Sequence, residues 1–268
     1  MSALTAKSSS GLLLSASAGR LLEAMSSDFV GFTIVSKVRR GDLEGVRSWL
    51  HHRGDVDFVV HPRTKFTLLM FAVHASARLP GAADVAALLL ASGADANATT
   101  HELEPRDAFF ETGRSALHYA ALDRNVRAVD LLLAYGAAVD RTTFREGWTP
   151  LAAVCASRPG RQLLWADDDD DARAADVAER LFEAGATSSP DARGSSPLHR
   201  AVLRGNFALV KRLVCNLDVR ELDALDADGC TALMLALPDD VRTSRLLRAA
   251  GAAEHVVAPE RRPKPRLW

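Results

Sequence analysis

Apolar and polar positions follow a helical rhythm through the middle of the chain, and the stretch from Gly113 to Asp140 shows it most plainly. Leu117, Ala120 and Ala121 share one face of a short helix, and Ser115 is placed to cap its first turn. Asn125 interrupts the pattern. Val126, Val129, Leu132 and Leu133 then recur at three- and four-residue steps, which predicts a second helix that buries this stripe and leaves Arg124, Arg127 and Asp130 to water. Gly136 stands where that helix should stop, since a residue without Cβ takes the left-handed conformation that satisfies the last carbonyls.

Two helices this short cannot bury their own apolar faces, so neighbours of the same shape must stack on both sides. The chain supplies such neighbours. Gly113-Arg-Ser115-Ala116-Leu117-His118 is echoed by Gly147-Trp-Thr149-Pro150-Leu151-Ala152, by Gly194-Ser-Ser196-Pro197-Leu198-His199 and by Gly229-Cys-Thr231-Ala232-Leu233-Met234. Gly always precedes the hydroxyl by two positions. It permits a turn with positive φ, the hydroxyl caps the helix, and Pro at the next position lacks only an amide that would go unpaired there. The helix-ending half recurs as well, at Leu89-Leu90-Ala-Ser-Gly93-Ala94-Asp95-Ala-Asn97, at Leu132-Leu133-Ala-Tyr-Gly136-Ala137 and at Leu181-Phe182-Glu-Ala-Gly185-Ala186.

These two half-motifs at matched spacing resemble those of the ankyrin repeat family, T-P-L-H-x-A followed downstream by L-L-x-x-G-A-D. The resemblance implies an all-α fold, a solenoid of stacked helix-turn-helix units with projecting hairpin loops, over residues 29–256. About six repeats are expected, starting near residues 32, 67, 115, 149, 196 and 231, the first degenerate because a terminal unit meets solvent on one side. The steps from Ser115 to Thr149 and from Ser196 to Thr231 lie close to the ankyrin period of ~33 residues. Thr67 to Ser115 and Thr149 to Ser196 are longer. In the first of these the extra chain is expected around Arg78-Leu-Pro80-Gly81 and after Asn97; in the second it is expected between the helices, through Trp165 and the acidic run Asp167 to Asp171, with a helix beginning near Ala172. Lys65 stands where the other repeats have Gly.

Composition changes this picture little. The 268 residues carry a net charge of −1, which argues against general attraction to nucleic acid, and no apolar run is long enough to span a membrane. Three cysteines without C-x-x-C spacing fit a reducing compartment, so a cytoplasmic location is expected, with nuclear or N-terminally targeted alternatives. Residues 1–28, Ser-rich and without an acid before Glu23, form a flexible or targeting leader, and residues 257–268 form a basic, proline-rich tail.

No arrangement for chemistry stands out. His118 and His199 occupy the His of the repeat motif, where the resemblance implies a structural hydrogen-bonding role. His51-His52 lacks metal-ligand spacing, the contiguous acidic run lacks the alternation of a calcium loop, and neither a phosphate loop nor a nucleophile elbow is present. The expected function is non-enzymatic, without cofactor, metal or small-molecule substrate: a monomeric scaffold that binds an unidentified protein. Family resemblance places the contact in a concave groove lined by loops and first helices. Phe109, Phe110, Arg141, Phe144 and Arg145 would face it, and Trp165 would project from the insertion near another edge. An adaptor or regulatory subunit that recruits an enzyme through its acidic insertion or basic tail is the alternative. Asn97, in an L-x-x-x-x-x-D-x-N context, also resembles the substrate of an asparaginyl hydroxylase, beside its plainer role as a turn former.

Overall fold

The computed structural model describes residues 33–52, 54–62, 64–101, 113–155, 168–236 and 240–253. The leader, the tail, Phe109, Phe110 and Trp165 lie outside the described residues. Helices come in pairs. The first pair is α1 (33–40) and α2 (Leu43–His51), followed by a two-stranded antiparallel hairpin, β1 (Val59–His61) with β2 (Phe66–Thr67). Then come α3 (Leu68–Ser76) with α4 (Pro80–Ala91), α5 (Ala116–Leu122) with α6 (Val126–Ala134), and α7 (Pro150–Val154) with α8 (Asp168–Glu183). The remaining helices are α9 (Pro197–Leu203), α10 (Phe207–Asn216), the single turn α11 (Val219–Leu222), α12 (Ala232–Leu235) and α13 (Val241–Ala249).

The same local chemistry starts the five pairs after the first. Thr67, Ser115, Thr149, Ser196 and Thr231 all adopt extended N-cap geometry, and the Thr67, Thr149 and Thr231 hydroxyls accept the third backbone N–H of their helices at 3.2–3.3 Å. Four of the second helices carry a side-chain cap, whereas Leu79 ahead of α4 makes none. Asp42, Asn125, Asn206 and Asp240 accept from Gly45, Ala128, Leu209 and Thr243 N–H respectively, each cap replacing an otherwise orphaned bond worth about 1 kcal/mol. Asn125 therefore breaks the apolar pattern because it begins α6. The residue before it, Arg124, holds φ +53°, where the equivalent turns place Gly41 at +69° and Gly205 at +66°.

Packing arranges the helices in two rows. First helices touch in the order α3, α5, α7, α9, α12, and second helices in the order α2, α4, α6, α8, α10, α13. One apolar core runs from Ile34 to Ala252 between the rows. Leu68, Leu89, Leu117, Leu132, Leu151, Leu181, Leu198 and Leu213 are fully buried in it, each worth about 1.5–3 kcal/mol of transfer free energy.

Two expectations need correction. Arg78-Leu-Pro80-Gly81 is no inserted loop: only 77–79 separate α3 from α4, and Pro80 opens α4. The extra chain in that repeat falls mostly between Gly93 and Ser115, in line with the other part of the expectation, which put it after Asn97. The acidic run is likewise no loop ahead of a helix near Ala172, because α8 already begins at Asp168. Acidic residues are favoured in the first turn of a helix by its dipole, so such a run is compatible with helix where contiguous charge had suggested loop. The β1/β2 hairpin and α11 were not anticipated. For α11 the signal was present, in Asp218 and Glu221, which form a reciprocal capping box.

Candidate functional site

The two motif histidines are structural by geometry. The Ser115 backbone N–H donates to His118 Nδ1 at 3.1 Å, and a backbone amide can only donate, so the ring proton sits on Nε2 and is donated to the Trp148 carbonyl at 2.9 Å. His199 repeats the arrangement with Ser196 N–H at 3.3 Å and the Cys230 carbonyl at 3.0 Å. Each ring thus ties its own helix start to the next turn along. Burial pushes His118 down to about 4, helped by the positive charge of Arg114 and opposed by the bond to Trp148. His199 is lowered for the same leading reason. Both rings are neutral at pH 7 and have no nitrogen left for a substrate.

What the fold presents outward is the edge formed by the first helices and the turns that precede them. The turn before α7 is closed by Thr143, whose N–H donates to the Trp148 carbonyl and whose hydroxyl accepts the Trp148 N–H, both at 2.9 Å. Within it Arg141, Phe144 and Arg145 are all exposed, Phe144 to 60%. The exposed ring is nonetheless held. A Cβ on Gly113 would lie 2.8 Å from the Phe144 nitrogen and 2.9 Å from its ring, so the aromatic rests directly on the backbone of the preceding turn.

Side chains that the sequence did not single out complete this edge. Tyr119 is met edge-on by Phe66 at 5.2 Å and by His74 at 6.2 Å, with the Arg114 guanidinium 5.8 Å from its ring. His74 Nδ1 lies 2.6 Å from the Asp123 carboxylate. Further along, Arg200 stacks on Trp148 at 4.3 Å and pairs with the buried carboxylate of Asp191. That carboxylate also accepts the Arg193 and Ser195 N–H groups at 2.8 and 2.9 Å. A register argument would have found several of these residues. Phe71, Tyr119, Arg200 and Leu235 each stand four positions after their repeat's capping hydroxyl, and all four are only partly buried. Trp148 is half-buried against the core, while its indole N–H has no acceptor among the described residues.

Asn97 lies apart from that edge, between hairpins. Its amide donates to the Gly136 carbonyl at 3.1 Å and accepts the Ala138 N–H at 2.7 Å. Asp57, Asp140 and Asp223 make the corresponding bond to the N–H groups of Asp95, Thr187 and Ala253 at 2.8–3.0 Å. Asn97 thus belongs to a recurring staple between successive repeats.

Among the described residues no group of three or more His, Cys, Asp or Glu side chains is placed to hold a metal ion, and no helix is long and apolar enough to cross a membrane. Cys155, Cys215 and Cys230 are free thiols, and burial pushes Cys155 up to about 12. A family model of ankyrin repeats, in three copies, matches residues 73–166, from within α3 to beyond α7. The caps at Ser196 and Thr231 continue the same pattern past the matched span.

Proposed function

The chain belongs to the ankyrin-repeat family, whose repeats are in general protein-binding and typically non-enzymatic modules, and from that premise we propose that it is a scaffold for a partner protein. In this reading the paired helices form a solenoid of about six units over residues 29–256. Its concave groove and loops take the partner through Arg141, Phe144 and Arg145, with Phe109 and Phe110 on the neighbouring loop and Trp165 on the insertion. The observation that carries the proposal is Phe144: a large apolar side chain 60% exposed, fixed over Gly113 and flanked by exposed arginines. An aromatic already ordered in the free protein loses little entropy on binding, which is how a rigid frame converts contact area into affinity. An interface of roughly 1,600 Å² would take three or four adjacent repeats. The three free thiols support a reducing compartment, and we place the protein in the cytoplasm as a monomer.

Co-purification with the full chain tests this reading. A protein captured by the wild type should be lost when Arg141, Phe144 and Arg145 are changed together to Ala, with helix content and Tm preserved. Capture of the same proteins by the triple variant would refute the assignment.

A further inference from the structure

A hydroxyl residue precedes proline at three places in the chain, Thr149-Pro150, Ser189-Pro190 and Ser196-Pro197. The fold treats them differently. Thr149 and Ser196 are helix caps, 1% and 4% exposed, and in both cases the proline is the first helical residue, of α7 and α9. The Thr149 hydroxyl accepts the Ala152 N–H at 3.2 Å, and the Ser196 hydroxyl meets the His199 ring at 2.7 Å. Neither can enter another protein's active site unless its helix unwinds. Ser189 stands in 186–191, a stretch between α8 and α9 that is neither helix nor strand. Pro190 is exposed, and its ring disfavours helical backbone at the residue before it, so Ser189 is biased to an extended conformation. The Ser189 hydroxyl bonds to that of the exposed Thr187 at 2.9 Å.

Charge at this position has a consequence. Ser189 follows Gly185 by four positions, as Asn97 follows Gly93 and Asp140 follows Gly136, and those two residues staple one hairpin to the next. Ser189 instead touches the staple before its own. The Thr187 N–H donates to both oxygens of the Asp140 carboxylate, at 3.0 and 3.2 Å, while the Thr187 hydroxyl is the partner of Ser189. A group carried on Ser189 Oγ is thus separated from the Asp140 carboxylate by one residue, inside the ~10 Å over which charges are felt at moderate ionic strength.

We propose that Ser189 is a phosphorylation site, the substrate of a proline-directed protein kinase, and that its phosphate loosens the Asp140–Thr187 staple. Ser189 Oγ bonds to the γ-phosphorus of ATP as the bond from that phosphorus to the β–γ bridging oxygen breaks; ADP leaves, and the hydroxyl proton passes to the kinase's base. The ester carries about −1.5 to −2 charges at pH 7 and three acceptor oxygens. These compete with Asp140 for the Thr187 N–H and repel its carboxylate, and Arg141, the next residue, offsets a single charge. Asp140 leads into the turn that carries Phe144, so the loosening reaches the exposed edge.

The test incubates the full chain with a recombinant proline-directed kinase and Mg·ATP, beside peptides of residues 145–154, 185–194 and 192–201, and locates phosphate by mass spectrometry. Relative to its own peptide, Ser189 should keep its rate in the folded chain, whereas Thr149 and Ser196 should slow by about tenfold or more, because they react only when α7 or α9 opens. Ser189→Ala should remove the phosphate without changing Tm. Phosphorylation should lower the urea midpoint of the wild type, and lower it less in Asp140→Asn, whose amide oxygen still accepts, as that of Asn97 does, but carries no charge. A Ser189 left unmodified in the chain or the peptide, or slowed in the fold as much as Thr149 and Ser196, would overturn the site. An equal midpoint shift in the wild type and Asp140→Asn would overturn its action on the staple.

Discussion

His118 makes the fold acid-sensitive in a window where carboxylates are still largely ionised. In the folded chain its pKa is held at about 4, against ~6.5 for an exposed histidine. The unfolded chain therefore binds the extra proton first, and stability falls as pH drops below about 6.5 toward the folded value. The contribution is fully present above that range and lost as pH passes through the folded pKa. At ~1.4 kcal/mol per unit of separation the complete loss is roughly 3 kcal/mol, of which about 2 kcal/mol falls between pH 7 and pH 5. His199 is shifted in the same direction and adds to the slope. Urea denaturation at pH 7 and pH 5 measures the difference, and His118→Gln should flatten it while lowering stability at pH 7 by about 1–3 kcal/mol through lost hydrogen bonds. NMR titration of the His118 ring gives an independent reading that needs no variant. A folded-state pKa near 6.5, or an unchanged pH slope in His118→Gln, would refute the reasoning.

Three further outcomes are expected from backbone and staple geometry. Lys65 holds φ +54°, where the family pattern has Gly, so Lys65→Gly should raise the urea midpoint by relieving about 1 kcal/mol of left-handed strain; a lowered midpoint would contradict this. Gly81→Ala should destabilise, although Gly to Ala within a helix ordinarily gains about 0.5–1 kcal/mol, because the new Cβ would sit 2.9 Å from the Gly41 Cα; thermal melts decide the sign. Asn97→Ala should cost about 1–2 kcal/mol and speed hydrogen exchange at the Ala138 amide, which the Asn97 side chain now accepts at 2.7 Å; unchanged exchange would remove the staple assignment.

Burial was the most legible property of the chain, and exposure the least. Leu117, Leu132 and Leu181 could be placed from periodicity because the core imposes a period, and the caps from hydroxyl and Gly spacing because helix ends impose a chemistry. An outward face is governed less tightly. Tyr119 and Arg200 share a register, four positions after the capping hydroxyl, but what each meets there depends on what lies across the surface: Phe66 and Arg114 for one, Trp148 and Asp191 for the other. Phe144 was accessible to sequence reasoning as an aromatic on a turn. Its support from Gly113 was not, because that contact joins two turns a full repeat apart.

How the repeats are joined bears on where the outward face gains its character. The staple made by Asp57, Asn97, Asp140 and Asp223 has no counterpart between the fourth and fifth repeats among the described residues, where α10 ends at Asn216 without the Gly that closes α4, α6 and α8. That joint is held by other means. Arg212 reaches Glu179 at 2.7 Å across the second helices, and Arg200 reaches back to Trp148 across the first. Arg200 therefore fixes the fifth repeat against the fourth. Arg200→Ala should consequently lower the urea midpoint, whereas Arg204→Ala, at a side chain that meets no carboxylate among the described residues, should leave it nearly unchanged. Equal midpoints for the two variants would show that Arg200 does not hold the joint.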